Sequence, residues 1–313
     1  MTKNQPIITI LGSGAWGSAL ATLVHRNGYQ VRLWSRRGDL SLPEAITGAS
    51  FILSAVSIKG VRDLVEQLQA LTIPSDTILI TATKGLDPLS QKTPSQIWQT
   101  AFPLKSVVVL SGPNLSVEIQ QNLPAATTVA CTSLAAAQAA QTIFSCDSFR
   151  VYINDDPLGT ELGGTLKNVM AIAAGVCDGL QLGTNAKSAL LTRALPEMVK
   201  VGTVLGAKAT TFFGLSGLGD LLTTCNSPLS RNYQVGYGLA QGKSLTEVLS
   251  TLKGTAEGVN TTNVLIDLAH QQGITVPIAQ QVYLLLQEKI TPQAAVQALM
   301  AREMKQEFNN LDF

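Results

Sequence analysis

The first segment suited to chemistry is a glycine-rich turn near the start of the chain, Gly12-Ser13-Gly14-Ala15-Trp16-Gly17. It follows an apolar run and precedes a predicted helix from about Ser18 to Arg26. Gly12 allows the tight turn, Gly14 lets a pyrophosphate approach the backbone, and Gly17 lets helix and strand pack closely. An incidental glycine turn would explain the motif alone. Its place between strand and helix favours a dinucleotide site with the phosphates at the helix N-terminus.

The segment after the second predicted strand bears on which dinucleotide is bound. The apolar run Val31–Trp34 leads to Ser35, Arg36 and Arg37, where an NAD site usually carries an acidic residue for the ribose 2′-hydroxyl. Arg pairs with phosphate through two hydrogen bonds, so these residues favour the 2′-phosphate of NADP. A solvated basic turn would explain them without a ligand. We predict NADP as the cofactor, with NAD as the alternative.

Two further predicted strands end in polar residues. The run Thr77–Thr83 leads to Lys84, and Val107–Leu110 leads to Ser111-Gly112-Pro113-Asn114. Ligands of open α/β sheets bind beyond the carboxyl ends of the strands, so a cation and polar donors are expected to meet in one crevice. A lysine after a strand is common on protein surfaces, and Lys84 alone carries little weight.

The segment Pro157–Gly179 has the spacing of a helix. One apolar face consists of Leu162, Leu166, Val169, Ala173 and Val176. Another face carries small residues around Lys167 and Asn168. Glycine costs a helix interior about 1 kcal/mol relative to Ala, so the pair Gly163-Gly164 indicates close approach of another backbone or a ligand. A domain-packing seam from which Lys167 reaches solvent is the alternative.

Two polar segments complete the candidate site. Gly214–Asp220 is predicted to form a glycine-rich turn that ends in a carboxylate, and Ser230-Arg231-Asn232 supplies groups that bind anions. Neither segment is specific alone. Together with Lys84, Lys167 and the dinucleotide turn, they predict hydride transfer on a small phosphorylated or carboxylated substrate.

The elements that position these residues follow from apolar patterning. Six candidate strands lie at residues 7–11, 31–34, 51–56, 77–83, 107–110 and 125–130. Near-continuous apolar strands between helices predict a parallel sheet covered on both faces. After about Asp155 only helices are predicted. We expect an α/β fold: a Rossmann-type doubly wound parallel sheet in a dinucleotide-binding domain, residues 1–155, then an all-helical substrate-binding second domain, residues 156–313.

Composition narrows the function classes. The net charge of +1 provides no basic stripe for nucleic acid or an anionic membrane, and the 14% of charged residues is low against about 25% in typical proteins. No stretch has the roughly 20 apolar residues of a membrane span, and no signal-peptide pattern is present. Four scattered cysteines and two histidines argue against a disulfide framework, a zinc site or a Ser-His-Asp triad. We expect a cytoplasmic protein with reduced thiols and no metal.

Seven motifs occur in a specific order and spacing: GSGAWGSALA from Gly12, ATKG from Ala82, SGPN from Ser111, ELGGTLKNVMAIAAGVCDGL from Glu161, TFFGLSGLGDLLTTC from Thr211, SRN from Ser230 and EG from Glu257. In this order they resemble the bacterial form of the NAD(P)-dependent glycerol-3-phosphate dehydrogenase family, over nearly the whole chain. The resemblance implies a Rossmann-type domain followed by an all-helical domain, commonly in a homodimer. It also implies interconversion of dihydroxyacetone phosphate and sn-glycerol 3-phosphate for glycerophospholipid synthesis.

The resemblance further implies residue roles, with Lys167 as proton acceptor in glycerol 3-phosphate oxidation and donor in the reverse direction. The family contacts substrate at the positions of Lys84, Gly112, Asn114, Lys167, Asp220, Ser230, Arg231 and Asn232. It contacts the dinucleotide at those of Ala15, Trp16, Arg36, Lys84, Ser116, Arg231, Thr255 and Glu257, to which the motifs above add Gly12, Gly14, Gly17 and Arg37.

The expected mechanism is direct hydride transfer between nicotinamide C4 and substrate C2. Burial and neighbouring cations lower the pKa of a lysine, so we expect Lys84 and Arg231 to lower that of Lys167, and Asp220 to orient its amine.

Three features depart from the family pattern. Residues 37–50 are shorter than the usual insert, so about a dozen residues must complete the crossover to the third strand. Ala55-Val56-Ser57 lacks the proline often found after that strand, and Asn114 stands where Ser or Thr is frequent.

Two other functions fit part of the pattern. Another two-domain dehydrogenase, of the 6-phosphogluconate or 3-hydroxyacid type, would share the dinucleotide turn and the helical domain, but the Gly-Leu-Gly-Asp and Ser-Arg-Asn motifs speak against it. In a non-catalytic NADP-binding regulator the cation cluster would be incidental. NADPH oxidation with dihydroxyacetone phosphate separates these alternatives.

Overall fold

The computed structural model describes residues 5–304 and 306–307. A seven-stranded sheet with the strand order β2-β1-β3-β4-β5-β6-β7 forms the first part of the molecule. Its strands are β1 Ile7–Leu11, β2 Gln30–Trp34, β3 Phe51–Ser54, β4 Ile78–Thr81, β5 Val107–Ser111, β6 Ala125–Ala130 and β7 Phe149–Asn154. This order, which reverses direction after β1, confirms the Rossmann-type α/β architecture.

The sheet is mostly parallel, as predicted, and contains one antiparallel pairing that the sequence does not predict. Strands β1 to β5 are parallel, β6 pairs antiparallel with β5, and β7 pairs parallel with β6. Residues 112–124 between β5 and β6 contain only a five-residue helix, and Asn122 adopts a φ of 61°. Because no full crossover helix intervenes, the chain re-enters the sheet from the end at which β5 leaves it.

Strand β7 was not predicted from the sequence. Its residues alternate between buried and exposed positions at Phe149, Arg150, Val151 and Tyr152. Such alternation is typical of a half-exposed strand, and β7 lies at the edge of the sheet. Continuous apolar runs, which mark strands buried on both faces, therefore do not reveal β7.

Helices cover both faces of the sheet. They are α1 Ala15–Arg26, α2 Leu42–Ile46, α3 Val61–Gln69, α4 Pro94–Ala101, α5 Ser116–Gln120 and α6 Leu134–Phe144. Residues of α1 and α6 share one apolar core with one sheet face, and residues of α2, α3 and α4 share another core with the opposite face. The inner strands β3, β4 and β5 are thereby buried almost completely, whereas the edge strands β2 and β7 keep exposed residues.

The short crossover from β2 to β3 is closed by α2. Ser41 and Glu44 form a reciprocal capping box at its start. At its end, the Arg32 guanidinium donates to the carbonyl oxygens of Glu44 (3.0 Å), Ala45 (3.2 Å) and Thr47 (2.5 Å). A five-residue helix has too few internal hydrogen bonds to persist alone, so these contacts stabilise the shortened segment.

The second part of the described chain is helical. Its helices are α7 Pro157–Gly179, α8 Gly183–Val204, α9 Asp220–Cys225, α10 Arg231–Ala240, α11 Leu245–Thr251, α12 Glu257–Gln272, α13 Pro277–Leu286 and α14 Pro292–Met300. Helix α7 has the predicted bounds and is buried on nearly all sides. None of the described helices combines the length and apolar character needed to cross a bilayer.

The glycines of α7 allow other backbones to approach it. A Cβ on Gly163 would lie 2.7 Å from the Ser216 carbonyl oxygen, and one on Gly175 would collide with the Tyr233 carbonyl. Gly236 of α10 fits in the same way against the Ile172 carbonyl. The small-residue face thus does admit other backbones, as predicted.

Asp156 links the first turn of α7 to the segment that leads towards α9. Its Oδ1 accepts from the Gly159 N–H at 2.9 Å. Its Oδ2 accepts from the Lys208 N–H at 2.9 Å and from the Thr211 hydroxyl at 2.7 Å. Asp156 is 6% exposed and its bonds from Gly159 and Thr211 are buried, so these two donors lack an alternative partner in water.

We expect Asp156→Ala to lower the free energy of unfolding by about 2–4 kcal/mol, since it removes a helix cap and leaves buried donors unpaired. The matched control is Asp155→Ala. Asp155 is exposed and pairs with Lys208 at 2.7 Å on the surface, so its loss should leave the melting temperature nearly unchanged. Thermal and urea unfolding measure both variants. Equal effects would show that Asp156 has no special structural role.

Candidate active site

The glycine-rich turn forms an open cradle at the start of α1. Gly14 is the N-cap residue and no side chain caps the helix. Gly12 has a φ of 118°, and a Cβ there would lie 2.9 Å from the Ala55 carbonyl carbon. Gly14, by contrast, has no heavy atom within 4 Å of a built Cβ. The helix N-terminus can therefore receive an anion, and this geometry fits a dinucleotide pyrophosphate.

The helix begins at Ala15 rather than near Ser18. This places Ala15 and Trp16 in its first turn, where backbone N–H groups have no helical acceptor. The Trp16 indole N–H donates to the Ala82 carbonyl oxygen at 3.2 Å. The dinucleotide turn is thereby tied to the segment that carries Lys84.

The basic pair after β2 lies beside this cradle. The Gly12 N–H donates to the Trp34 carbonyl oxygen at 2.8 Å, which fixes the end of β2 against the turn. Arg36 and Arg37 follow in an exposed turn. Their side chains lie outside the lysine cluster described next, and a role in binding the cofactor phosphate stays a prediction.

A buried carboxylate joins two lysines at the carboxyl ends of the strands. Lys167 Nζ lies 2.8 Å from Asp220 Oδ1, and Lys84 Nζ lies 2.5 Å from Asp220 Oδ2. The Asp220 side chain is 1% exposed, that of Lys167 is 8% and that of Lys84 is 19%. Lys84 Nζ also donates to the Gly112 carbonyl oxygen at 3.4 Å. These contacts bring together four separate segments, which carry Lys84, Gly112, Lys167 and Asp220. We call Lys84, Lys167 and Asp220 the lysine cluster.

The surroundings of Lys167 lower the pKa of its amine. Burial lowers its pKa to about 8, with the positive charge of Lys84 acting in the same direction and Asp220 opposing them. Burial raises the pKa of Asp220, but the ion pairs with Lys167 and Lys84 outweigh it and hold that pKa below its usual range. Lys167 can thus gain or lose a proton near neutral pH, while Asp220 stays ionised.

Arg231 does not contribute to the lysine cluster, so the expectation that it lowers the pKa of Lys167 is wrong. Its guanidinium lies against Gly254, where a Cβ would collide with Nη1. Its charge instead lowers the pKa of Glu257, which burial raises. Arg231 is exposed at the first position of α10, and its side chain points towards the loop before α12.

Asn232 connects three segments of the site. Its Nδ2 donates to Asn168 Oδ1 at 2.8 Å, and its Oδ1 accepts from the Gly258 N–H at 2.9 Å. Ser230, the N-cap residue of α10, accepts a hydrogen bond from the Tyr233 N–H at 3.2 Å. These bonds fix Asn168, Asn232 and Gly258 relative to one another. Each of the three directly follows a predicted site residue.

The strand-end loop after β5 carries further predicted residues. Asn114 Nδ2 donates to the Ala126 carbonyl oxygen at 2.9 Å, while its Oδ1 is buried and without a hydrogen bond among the described residues. Ser116 is the first residue of α5. The Gly214–Asp220 segment is a π-helical turn running into α9 rather than an open turn.

The start of α12 carries the last two predicted residues. Thr255 is exposed in the loop before the helix, and Glu257 is the first residue of α12. Glu257 Oε2 is buried and without a hydrogen bond in the described part of the chain, and it would lie 3.6 Å from a Cβ on Gly85. Glu257 therefore borders the segment that carries Lys84.

Thr224 was missed in the sequence. Its hydroxyl accepts a hydrogen bond from Lys167 Nζ and itself donates to Asp220 Oδ1 at 3.1 Å. Thr224 follows Asp220 by four residues on α9, so the two side chains share a helix face. That spacing was the available signal, although a threonine in a helix rarely indicates a site.

Comparison with known proteins identifies the family. Residues 156–297 match the model of the NAD-dependent glycerol-3-phosphate dehydrogenase C-terminus, and residues 7–42 and 39–137 match that of the N-terminus. The chain belongs to this family. It is an NAD(P)-dependent oxidoreductase that acts on glycerol 3-phosphate, and the alternatives of a different two-domain dehydrogenase or a non-catalytic regulator are wrong.

Individual proteins agree with this assignment. The glycerol-3-phosphate dehydrogenase [NAD(P)+] of Acaryochloris marina is 64% identical over 300 residues, 96% of this chain and 97% of that protein. The same enzyme of Synechocystis is 62% identical over 309 residues, 99% of this chain and 98% of that protein. The crystal structure of glycerol-3-phosphate dehydrogenase from Coxiella burnetii superposes with a TM-score of 0.91 at 34% identity, covering 95% of this chain and 99% of that one.

The electrostatics of the lysine cluster are testable. Asp220→Asn removes the charge that raises the pKa of Lys167, so we expect that pKa to fall from about 8 by a further 1 to 2 pH units. The rate at which an amine-reactive reagent labels Lys167, measured by mass spectrometry across pH, reports it. Asp178→Asn is the control, because Asp178 pairs with Lys187 at 2.5 Å outside the cluster. An unchanged Lys167 titration in Asp220→Asn contradicts the electrostatic account.

Proposed function

We propose that Lys167 moves the proton while the enzyme interconverts dihydroxyacetone phosphate and sn-glycerol 3-phosphate. The observation that carries this proposal is a buried lysine with a pKa of about 8, held by Asp220 beside the dinucleotide turn. When glycerol 3-phosphate is oxidised, the neutral Lys167 amine accepts the C2 hydroxyl proton. In the reverse direction, the ammonium returns that proton to the carbonyl oxygen.

The cofactor, when bound, supplies or receives the hydride at nicotinamide C4, and substrate C2 is its partner atom. The chain's own residues do the rest. Asp220 keeps the Lys167 amine in place, since its Oδ1 lies 2.8 Å away. Lys84 offers a positive charge to the C2 oxygen as that oxygen gains negative charge. Burial of the cluster keeps water from competing for the proton.

The substrate phosphate is assigned to the start of α10. This ten-residue helix presents its N-terminus together with Arg231, the side chain of which is exposed. A helix N-terminus and a guanidinium both favour a phosphate. Ser230 and Asn232 shape this end through their own hydrogen bonds. Gly112 and Asn114, in the loop after β5, are assigned to the substrate as well.

The dinucleotide is assigned to the glycine turn, with NADP the expected form. Arg36 and Arg37 would hold the 2′-phosphate, and the N-terminus of α1, at Ala15 and Trp16, would hold the pyrophosphate. Ser116, Thr255 and Glu257 would border the rest of the cofactor together with Lys84 and Arg231. The open space at Gly14 supports this assignment.

Wider features belong to the same proposal. We assign residues 1–155 to cofactor binding and residues 156–313 to substrate binding.

A homodimer is supported by an apolar groove of about 1,070 Å³ between α8 and α9, which a second copy would cover. The four free cysteines suit the reducing cytoplasm. The product, sn-glycerol 3-phosphate, would supply glycerophospholipid synthesis there.

The role of Lys167 predicts that Lys167→Ala loses about 10²- to 10⁴-fold in turnover, because proton transfer contributes that much. NADPH binding should remain near that of the wild type. The wild-type oxidation rate should rise as pH increases through about 8, where the amine becomes neutral, and the reduction rate should fall over the same range. Lys187→Ala, which removes an ion-paired lysine elsewhere, is the control. Wild-type turnover in Lys167→Ala would rule the role out.

Cofactor choice is tested at the end of β2. Arg36→Asp combined with Arg37→Ser removes the charges assigned to the 2′-phosphate and introduces a carboxylate for the ribose hydroxyl. The ratio of kcat/KM with NADPH to that with NADH should fall by about 10-fold or more, as expected for a lost charge-assisted hydrogen bond. The nearby Arg32 is not substituted, because its guanidinium donates hydrogen bonds to the carbonyl oxygens at the end of α2. If the ratio stays constant, the cofactor phosphate binds elsewhere.

A further inference from the structure

The peptide after Lys84 is fixed to α7 by one hydrogen bond. The Gly85 N–H donates to Thr165 Oγ1 at 3.0 Å, and Thr165 is fully buried. Gly85 has a φ of 139°, a conformation that L side chains rarely adopt, and a Cβ there would lie 3.1 Å from the Ile58 side chain. This conformation requires glycine at position 85, and the bond to Thr165 is the contact that ties the peptide beside Lys84 to α7.

The stem of Lys84 rests on the neighbouring residue of the same helix. A Cβ on Gly164 would lie 3.2 Å from Lys84 Cε and 3.5 Å from Cδ, and it would collide with Ser111 Oγ. The missing side chain at Gly164 thus opens the channel along which Lys84 runs. Two consecutive residues of α7, Gly164 and Thr165, contact the two consecutive residues Lys84 and Gly85.

The position of Lys84 acts on Lys167. The charged or titratable groups that face the Lys167 amine are Lys84 from the loop after β4, and Asp220 and Cys225 from α9. Of these three groups, Lys84 is the positively charged one, and its charge lowers the pKa of Lys167. Any movement of Lys84 away from Asp220 therefore changes the proton affinity of Lys167.

We propose that Thr165 is a positioning residue for this reaction, because its hydroxyl holds the Gly85 peptide and so places the Lys84 amine at Asp220 and at the substrate. The Thr165 hydroxyl contacts the Gly85 peptide rather than either amine of the described cluster, and it acts through Lys84. The inference deepens the proposed function and rests on Lys167 as the proton carrier. It assigns a task to a hydroxyl that lies two residues from Lys167 on the same helix.

Thr165→Val tests the proposal, since valine keeps the shape and deletes the hydroxyl. The Gly85 N–H then loses its acceptor, and we expect the KM for dihydroxyacetone phosphate to rise about 10-fold. As Lys84 moves away, both the oxidation and the reduction pH profiles should shift upward by about half to one pH unit. A purely structural role for Thr165 would change stability without moving these profiles.

Two further variants isolate the hydroxyl. Thr165→Ser keeps it and should restore the wild-type KM and pH profiles. Thr160→Val is the matched control: Thr160 lies on the same helix, is fully buried, and its hydroxyl has no hydrogen bond among the described residues. That substitution should leave both quantities unchanged. If Thr165→Val does not fold, Thr165→Ala is compared with Thr165→Ser, which differs from it only in the hydroxyl.

The outcomes separate this inference from the proposed function. Should Thr165→Val, or Thr165→Ala in its place, show the wild-type KM and profiles while the wild type titrates near pH 8, the positioning role is wrong and Lys167 keeps its own. If the wild type shows no titration near pH 8 and Lys167→Ala is active, the proposed function fails, and the inference fails with it. An upward shift reversed by serine supports both.

Discussion

The site depends on the burial of one negative charge between two positive ones. A carboxylate as deeply buried as that of Asp220 is costly in free energy unless it is paired, and each of its oxygens lies within hydrogen-bond distance of a lysine amine. Lys167 comes from α7 and Lys84 from the loop after β4, so the pairing draws the helical part of the chain against the sheet. The two ion pairs that compensate the buried charge of Asp220 therefore also join the two halves of the molecule.

Helix α7 makes this pairing geometrically feasible. A helix surrounded on nearly all sides needs small residues wherever another backbone crosses it, and its glycines stand at such crossings with the π-helical turn and with α10. The free energy that glycine costs a helix is offset by burial of the neighbouring apolar side chains. The same compactness brings Asn168 to Asn232, and so fixes the start of α10 relative to Lys167.

Local patterns in the sequence predict the helices and strands better than they predict the contacts between distant segments. The bounds of α7 follow from its apolar spacing, Asp156 and Pro157, and the dinucleotide turn follows from its glycines. The antiparallel entry of β6 depends on the path of residues 112–124, which periodicity does not encode. The place of Arg231 against Gly254 depends on a loop from a distant part of the chain. Nothing local to Asp220 reveals that it accepts from two lysines 53 and 136 residues away in sequence.

The contacts of Asp156 have a consequence for how the enzyme opens. Its carboxylate accepts a hydrogen bond from the first turn of α7, the helix that carries Lys167. It also accepts hydrogen bonds from Lys208 and Thr211, in the segment that leads into the turn before Asp220. A local opening that releases one of these segments also removes a partner of the other. Lys167 and Asp220 thus belong to one cooperative unit, and we expect their amides to exchange hydrogen together. Partial unfolding would then dismantle the lysine cluster as a whole, rather than leave a lysine without its carboxylate in an otherwise intact protein.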